Sequence, residues 1–198
     1  MDPRIERINS DQWIEFNRAA VLIRRLMALM EMPRQSRMPG LVVYGASGIG
    51  KTMVARKIAS QYPVVYDPNT GISHTPMLLV QAPPAPDERR FYLHILSKIG
   101  APISSRQTAA DLEVRTMNFL RDMHLRMIIV DEVHERSVDT DILVFLIRKM
   151  LTLRPKLKVI LMSATLCADV YVDYFNLAED YEPLFVGARR FPVRTVFL

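Results

Sequence analysis

The chain has a single cysteine, Cys167, among its 198 residues, so no disulfide can form within it. A lone thiol suits a reducing compartment, and a cytoplasmic location is expected. Long apolar runs are also lacking. Nowhere do eighteen apolar residues follow one another, which argues against a membrane-spanning helix. The opening stretch MDPRIERINSDQW mixes charges and has no apolar segment, so it does not read as a secretion signal. His74, His94 and His124 are scattered, and with one cysteine they support no zinc site. Internal repeats and low-complexity tracts are missing too.

The composition is that of a globular domain, with 49% hydrophobic and 24% charged residues. Lysine and arginine number 26 against 21 acidic residues, giving a net charge of +5. That balance permits contact with nucleic acid and is equally what a solvated basic surface gives. The cations are spread along the chain, with short clusters at Arg24-Arg25, Arg89-Arg90 and Arg189-Arg190.

Residues 11–32 predict a helix, with Trp13, Phe16, Ala20, Ile23, Met27 and Met30 at three- and four-residue steps. A basic linker, Pro33 to Gly40, follows. Apolar runs at 41–44, 77–81, 127–130 and 157–162 predict buried parallel strands. Helices are predicted over 53–62, 87–99, 108–123, 139–153 and 168–175, a loop over 66–76, and further short strands at 184–186 and 193–198. Strands alternating with helices imply an α/β fold of three layers, a mainly parallel five-stranded sheet between helices. The expected organisation is an N-terminal helix and linker over 1–40 and one domain over 41–198.

Gly45-Ala46-Ser47-Gly48-Ile49-Gly50-Lys51-Thr52 fits G-x-x-x-x-G-K-[ST] between a strand and a helix. In such a phosphate loop the backbone N–H groups turn inward on the phosphates of ATP. Lys51 is then expected at the β- and γ-phosphates, and the Thr52 hydroxyl on Mg²⁺. Asp131-Glu132 follows four apolar residues, at the end of a buried strand, where ligands of parallel sheets bind. Asp131 is expected to hold Mg²⁺, and Glu132 to orient and deprotonate the attacking water.

Two resemblances meet at this acidic pair. From the N-terminus to about His134 the chain resembles the TniB family of transposon AAA+ ATPases. The matching stretches are Arg37-Met38-Pro39, Gly45 to Met53, Leu79 to Pro83, Pro86 to Tyr92, Gly100-Ala101-Pro102 and Met127 to His134. From Asp131 onward it resembles the first RecA-like domain of DEAH-box helicases. This likeness rests on Asp131 to Ser137, Leu161-Met162-Ser163-Ala164-Thr165 and Gly187 to Val193. The chain therefore reads as a hybrid joined at a shared Walker B sequence. The first resemblance implies an ATP-dependent oligomer that acts on DNA with a transposase. The second implies a helicase core acting on RNA or DNA. A third reading is a nucleotide-switched binding scaffold with little hydrolysis.

Under either resemblance Ser163 or Thr165 serves as a sensor of the γ-phosphate, whereas a helix cap is the plain reading of the same residues. His134 links the ATP site to a second domain in the helicases, and a local backbone contact is the alternative. Arg189 and Arg190 are candidates for a trans-acting arginine by charge alone. No second RecA-like domain occurs within these residues, so slow hydrolysis is expected unless a partner supplies an arginine.

Overall fold

The structure is a computed structural model that describes residues 17–33, 39–69, 72–82, 87–104, 106–133, 138–164, 168–175 and 183–187. The expectations at Trp13, His134, Thr165, Cys167, Arg189, Arg190 and 193–198 lie outside the described residues.

In chain order the elements are α1 (Asn17–Glu31), β1 (Leu41–Tyr44), α2 (Lys51–Ala59), β2 (Val65–Asp67), β3 (Ile72–His74), β4 (Met77–Gln81), α3 (Glu88–Lys98), α4 (Ala109–Asp122), β5 (Met127–Asp131), α5 (Val138–Leu153), β6 (Lys158–Ser163), α6 (Ala168–Phe175) and β7 (Leu184–Phe185). Five strands form one sheet in the order β4-β5-β6-β1-β7, and every pairing in it is parallel. β6 thus lies between β1 and β5.

Residues alternate between the two faces of each strand, and the alternation builds the three layers. Val42, Leu78, Val80, Ile128, Val130, Val159 and Leu161 share a core with α3, α4, α5 and α6. Their neighbours Leu41, Val43, Met77, Met127, Ile129, Ile160 and Met162 pack on α1 and α2. Both faces are covered, so the strand interiors are apolar and polar residues fall only at strand ends; β5 and β6 are buried at every position.

Caps set the helix limits. Asp87 accepts from the Arg90 N–H at the start of α3, and Thr108 with Asp111 forms a reciprocal capping box on α4. Lys149 of α5 joins the starts of these helices to its own, with its ammonium 3.2 Å from Glu88 and 2.7 Å from Glu113. Those two hydrogen bonds, Glu113 foremost, hold Lys149 well above its ordinary pKa.

Two expectations are corrected. The buried stripe of α1 is Ala19, Leu22, Leu26, Leu29 and Met30, whereas Ala20, Ile23 and Met27 sit at its half-buried edge. The helix carries two adjoining apolar stripes, and periodicity alone does not say which one meets the sheet. The 66–76 segment is not all loop: β2 and β3 pair as an antiparallel hairpin. Its strands have three residues each, too few for a pattern to register, and Val65 and Tyr66 are exposed.

Both ends of α1 are tied down. Arg18 donates to the Phe185 carbonyl at 3.1 Å and lies over the Phe185 ring. At the other end Arg126 donates to the Met30 carbonyl at 2.6 Å. Lys158, buried, donates to the carbonyls of Met30 at 3.2 Å and Met32 at 3.1 Å. The last carbonyls of a helix have no partner of their own, and cations there also oppose the helix dipole.

Candidate nucleotide-binding site

At the C-terminal ends of β1, β5 and β6 the sequence-predicted residues converge. The segment after β1 turns at once into α2, whose N-cap is Gly50 at φ 95°. That left-handed geometry suits glycine and costs a residue with a Cβ. No side chain caps α2, so its first-turn N–H groups remain donors toward the crevice.

Gly45 is required for a different reason. A Cβ there would overlap the Val186 carbonyl oxygen, because the chain after β7 presses on the loop. The Gly45 N–H reaches the Ser163 carbonyl at 3.2 Å, and the Val186 N–H reaches the Tyr44 carbonyl at 2.7 Å. The loop is thus held from β6 on one side and from beyond β7 on the other. Gly45→Ala is expected to cost about 2 kcal/mol or more, since the obstacle is backbone. For a domain of this size that lowers the melting temperature by roughly 4–8 °C, which calorimetry would read.

Lys51 is 6% exposed and curls back over the loop. Its ammonium donates to the Gly45 carbonyl at 2.6 Å and the Ala46 carbonyl at 3.0 Å. Burial pushes its pKa below the usual lysine value, while the nearby Glu132 and Asp131 carboxylates pull it back up. Thr52 donates its hydroxyl to Asp131 Oδ2 at 2.5 Å, so residues seventy-nine apart in sequence meet across the crevice. Asp131 is 3% exposed. A hydroxyl and a carboxylate in contact are hard oxygen ligands, and beside an N–H-lined loop they fit Mg²⁺ and a polyphosphate.

Glu132 has φ 65°, uncommon for any residue other than glycine. Its neighbours impose it. Its own N–H bonds Asp131 Oδ1 at 3.0 Å. The next residue, Val133, is buried and fixed twice: its N–H reaches the Met162 carbonyl at 2.9 Å, and its carbonyl accepts from Tyr171 at 2.8 Å. The backbone between these anchors makes its left-handed turn at Glu132. Strain of about 1–3 kcal/mol held in this way clusters at functional sites.

Ser163 lies at the end of β6 beside the loop, fully buried. That Val186 and Gly187 border the loop, against Gly45 and Ile49, is not legible from the strand pattern at 184–186 or the stretch from Gly187, because long-range docking alone brings them there.

The family described as Bacterial TniB protein matches residues 4–139. Curated relatives include a putative ATP-dependent RNA helicase, DHX57, from Homo sapiens, 46% identical over 71 residues. That match takes in 36% of this chain and 5% of the relative. A probable ATP-dependent RNA helicase, DHX35, from Pongo abelii is 42% identical over 79 residues, 36% of this chain and 11% of the relative. Among solved structures, the Aeropyrum pernix ORC1 protein in complex with DNA superposes with a TM-score of 0.55 at 16% identity, over 85% of this chain and 44% of that one. The ORC2 protein of the same organism, solved as ADPNP and ADP complexes, gives 0.55 at 18%, over 90% and 50%. The chain therefore spans a small part of its curated relatives and about half of these structural neighbours, whose likeness is one of fold. A TniB-like segment and a helicase-like segment coexist in one chain of P-loop α/β fold.

Proposed function

The chain belongs to the bacterial TniB family, and from that premise we propose that it is a Mg²⁺-dependent ATPase whose catalytic crevice is the one formed by Gly45–Thr52 and Asp131–Glu132. The observation that carries this reading is the contact of Thr52 with Asp131 beside the buried Lys51.

Ala46, Ser47, Gly48, Ile49 and Gly50 present backbone N–H groups to the phosphates, Gly45, whose own N–H is held by the Ser163 carbonyl, starts the turn that aims them, and the start of α2 adds its dipole. Lys51 exchanges its two carbonyl partners for β- and γ-phosphate oxygens. Thr52 and Asp131 would hold Mg²⁺, whose chemistry when bound is to neutralise charge on the phosphate oxygens. Glu132 accepts a proton from the attacking water. Ser163 and Thr165 are proposed as the γ-phosphate sensor.

The family premise extends the proposal to an ATP-dependent homo-oligomer that works on DNA with a transposase. A neighbouring subunit's arginine then supplies the charge that an isolated subunit lacks, a contribution of roughly 10³–10⁵ in turnover. Steady-state ATP turnover across protein concentration, with and without duplex DNA and single-stranded RNA, tests this. Turnover that rises with concentration and with duplex DNA is expected. Fast turnover independent of concentration would overturn the oligomer reading. The 46% identity to a putative RNA helicase over 71 residues favours a second reading, a helicase-type core. Its mark is RNA-stimulated turnover by a monomer.

A further inference from the structure

At the end of the sheet opposite the nucleotide crevice, where β5 and β6 begin, a cavity of about 300 Å³ is bordered by Arg121, His124, Arg126, Arg154, Lys156 and Lys158. Its other lining residues are apolar or proline, and none of the described lining residues is acidic. The carboxylate of Asp122 does approach Arg121, at 3.1 Å. Five formal positive charges therefore meet around one small space, although cations are otherwise distributed along the chain.

Internal demands account for part of this cluster. Arg126 and Lys158 serve the last carbonyls of α1, and Arg154 donates to the Met117 carbonyl at 3.4 Å. Arg121 stands in the last turn of α4, where a cation opposes the helix dipole. Lys156 and His124 answer neither demand. Both are exposed, Lys156 in the turn before β6 and His124 stacked on His74 with ring centroids 5.1 Å apart. The His124 backbone is left-handed, at φ 56°.

We propose that this basic pocket binds the phosphodiester backbone of a nucleic acid without reading its sequence. Forked guanidinium groups match phosphate oxygens, and such contacts fix a strand in place while carrying no base information. The cavity lies at the small end of ligand sites, a size for one backbone unit and not for a folded segment. A nucleic acid also brings the regular charge spacing that several converging cations reward. The inference stands apart from the ATPase reading, because no residue of the nucleotide crevice takes part.

Arg121 and Lys156 are both exposed, so the test reverses them together, Arg121→Glu with Lys156→Glu. Anisotropy of a short labelled DNA duplex and of a single-stranded RNA, across a salt series, reads the effect. The dissociation constant is expected to rise on the order of 10-fold, and the salt slope to fall by about 2 for two lost phosphate contacts. The paired alanine variant, which adds no charge near the helix ends, should move the slope the same way. Binding of a fluorescent ATP analogue should stay unchanged, which separates this pocket from the crevice. A loss confined to DNA or to RNA supports the proposal and identifies the source. Unchanged affinity and slope would overturn it, and so would binding of polyglutamate in preference to both nucleic acids, which would assign the pocket to an acidic peptide.

Discussion

Replacing Lys51 by alanine is expected to weaken ATP binding by on the order of 10²-fold or more, because a charge-assisted bond to phosphate contributes about 1.5–3 kcal/mol and Lys51 is placed to make more than one. The same substitution should leave the fold intact. Lys51 donates to two loop carbonyls, at 2.6 and 3.0 Å, but its own burial disfavours its charge. The two effects oppose each other in stability, whereas only the first has a counterpart in ligand binding. Titration calorimetry with Mg²⁺–ATP reads the affinity, and thermal melting reads the fold. Lys51→Met keeps the aliphatic bulk and should behave like the alanine variant. Near-native ATP affinity in a folded Lys51→Met protein would remove the crevice assignment.

Glu132→Gln is expected to do the reverse, keeping ATP affinity while lowering turnover by about 10²–10⁴, the usual contribution of a positioned general base. Affinity should persist because the loop, Lys51, Thr52 and Asp131 are untouched. The left-handed turn should persist as well, since the anchors that impose it are the Asp131 side chain and the two bonds to Val133. Single-turnover hydrolysis with saturating enzyme isolates the chemical step. If that step ran at the wild-type rate, Glu132 would not be the group that takes the proton. Glu132→Gly offers an internal comparison. It removes the carboxylate and relieves the φ 65° geometry, so it should lose turnover yet melt at or above the wild-type temperature.

The contrast between these residues explains what the sequence could disclose. The phosphate loop is a local device: its spacing dictates its geometry, and Lys51 and Thr52 fall at the start of α2 as that spacing requires. The strands were legible for a related reason. Burial on both faces leaves uninterrupted apolar runs, so β4 and β5 stand out at 77–81 and 127–131. The helix caps Asp87 and Thr108 likewise carry their own chemistry. Harder features depend on distant partners. The left-handed turn at Glu132 needs Met162 and Tyr171, neither of which is nearby in sequence. The choice of buried stripe on α1 depends on the sheet it meets, and its own composition is apolar enough to allow either. The basic pocket combines residues from two separate connections, α4 to β5 and α5 to β6, and no linear charge count distinguishes them from a solvated surface.

The press of Val186 on Gly45 has one more consequence. Residue 186 reaches a phosphate loop that begins 141 positions earlier, so the cradle cannot take its final shape until a strand from late in the chain has docked beside β1. Contacts of such long sequence separation are made slowly and late. A growing polypeptide would therefore complete its sheet centre, with β1 beside β6, before it acquired a competent grip on nucleotide. Shortening the chain ahead of residue 184 would leave the glycine-rich turn present in composition but lacking one wall.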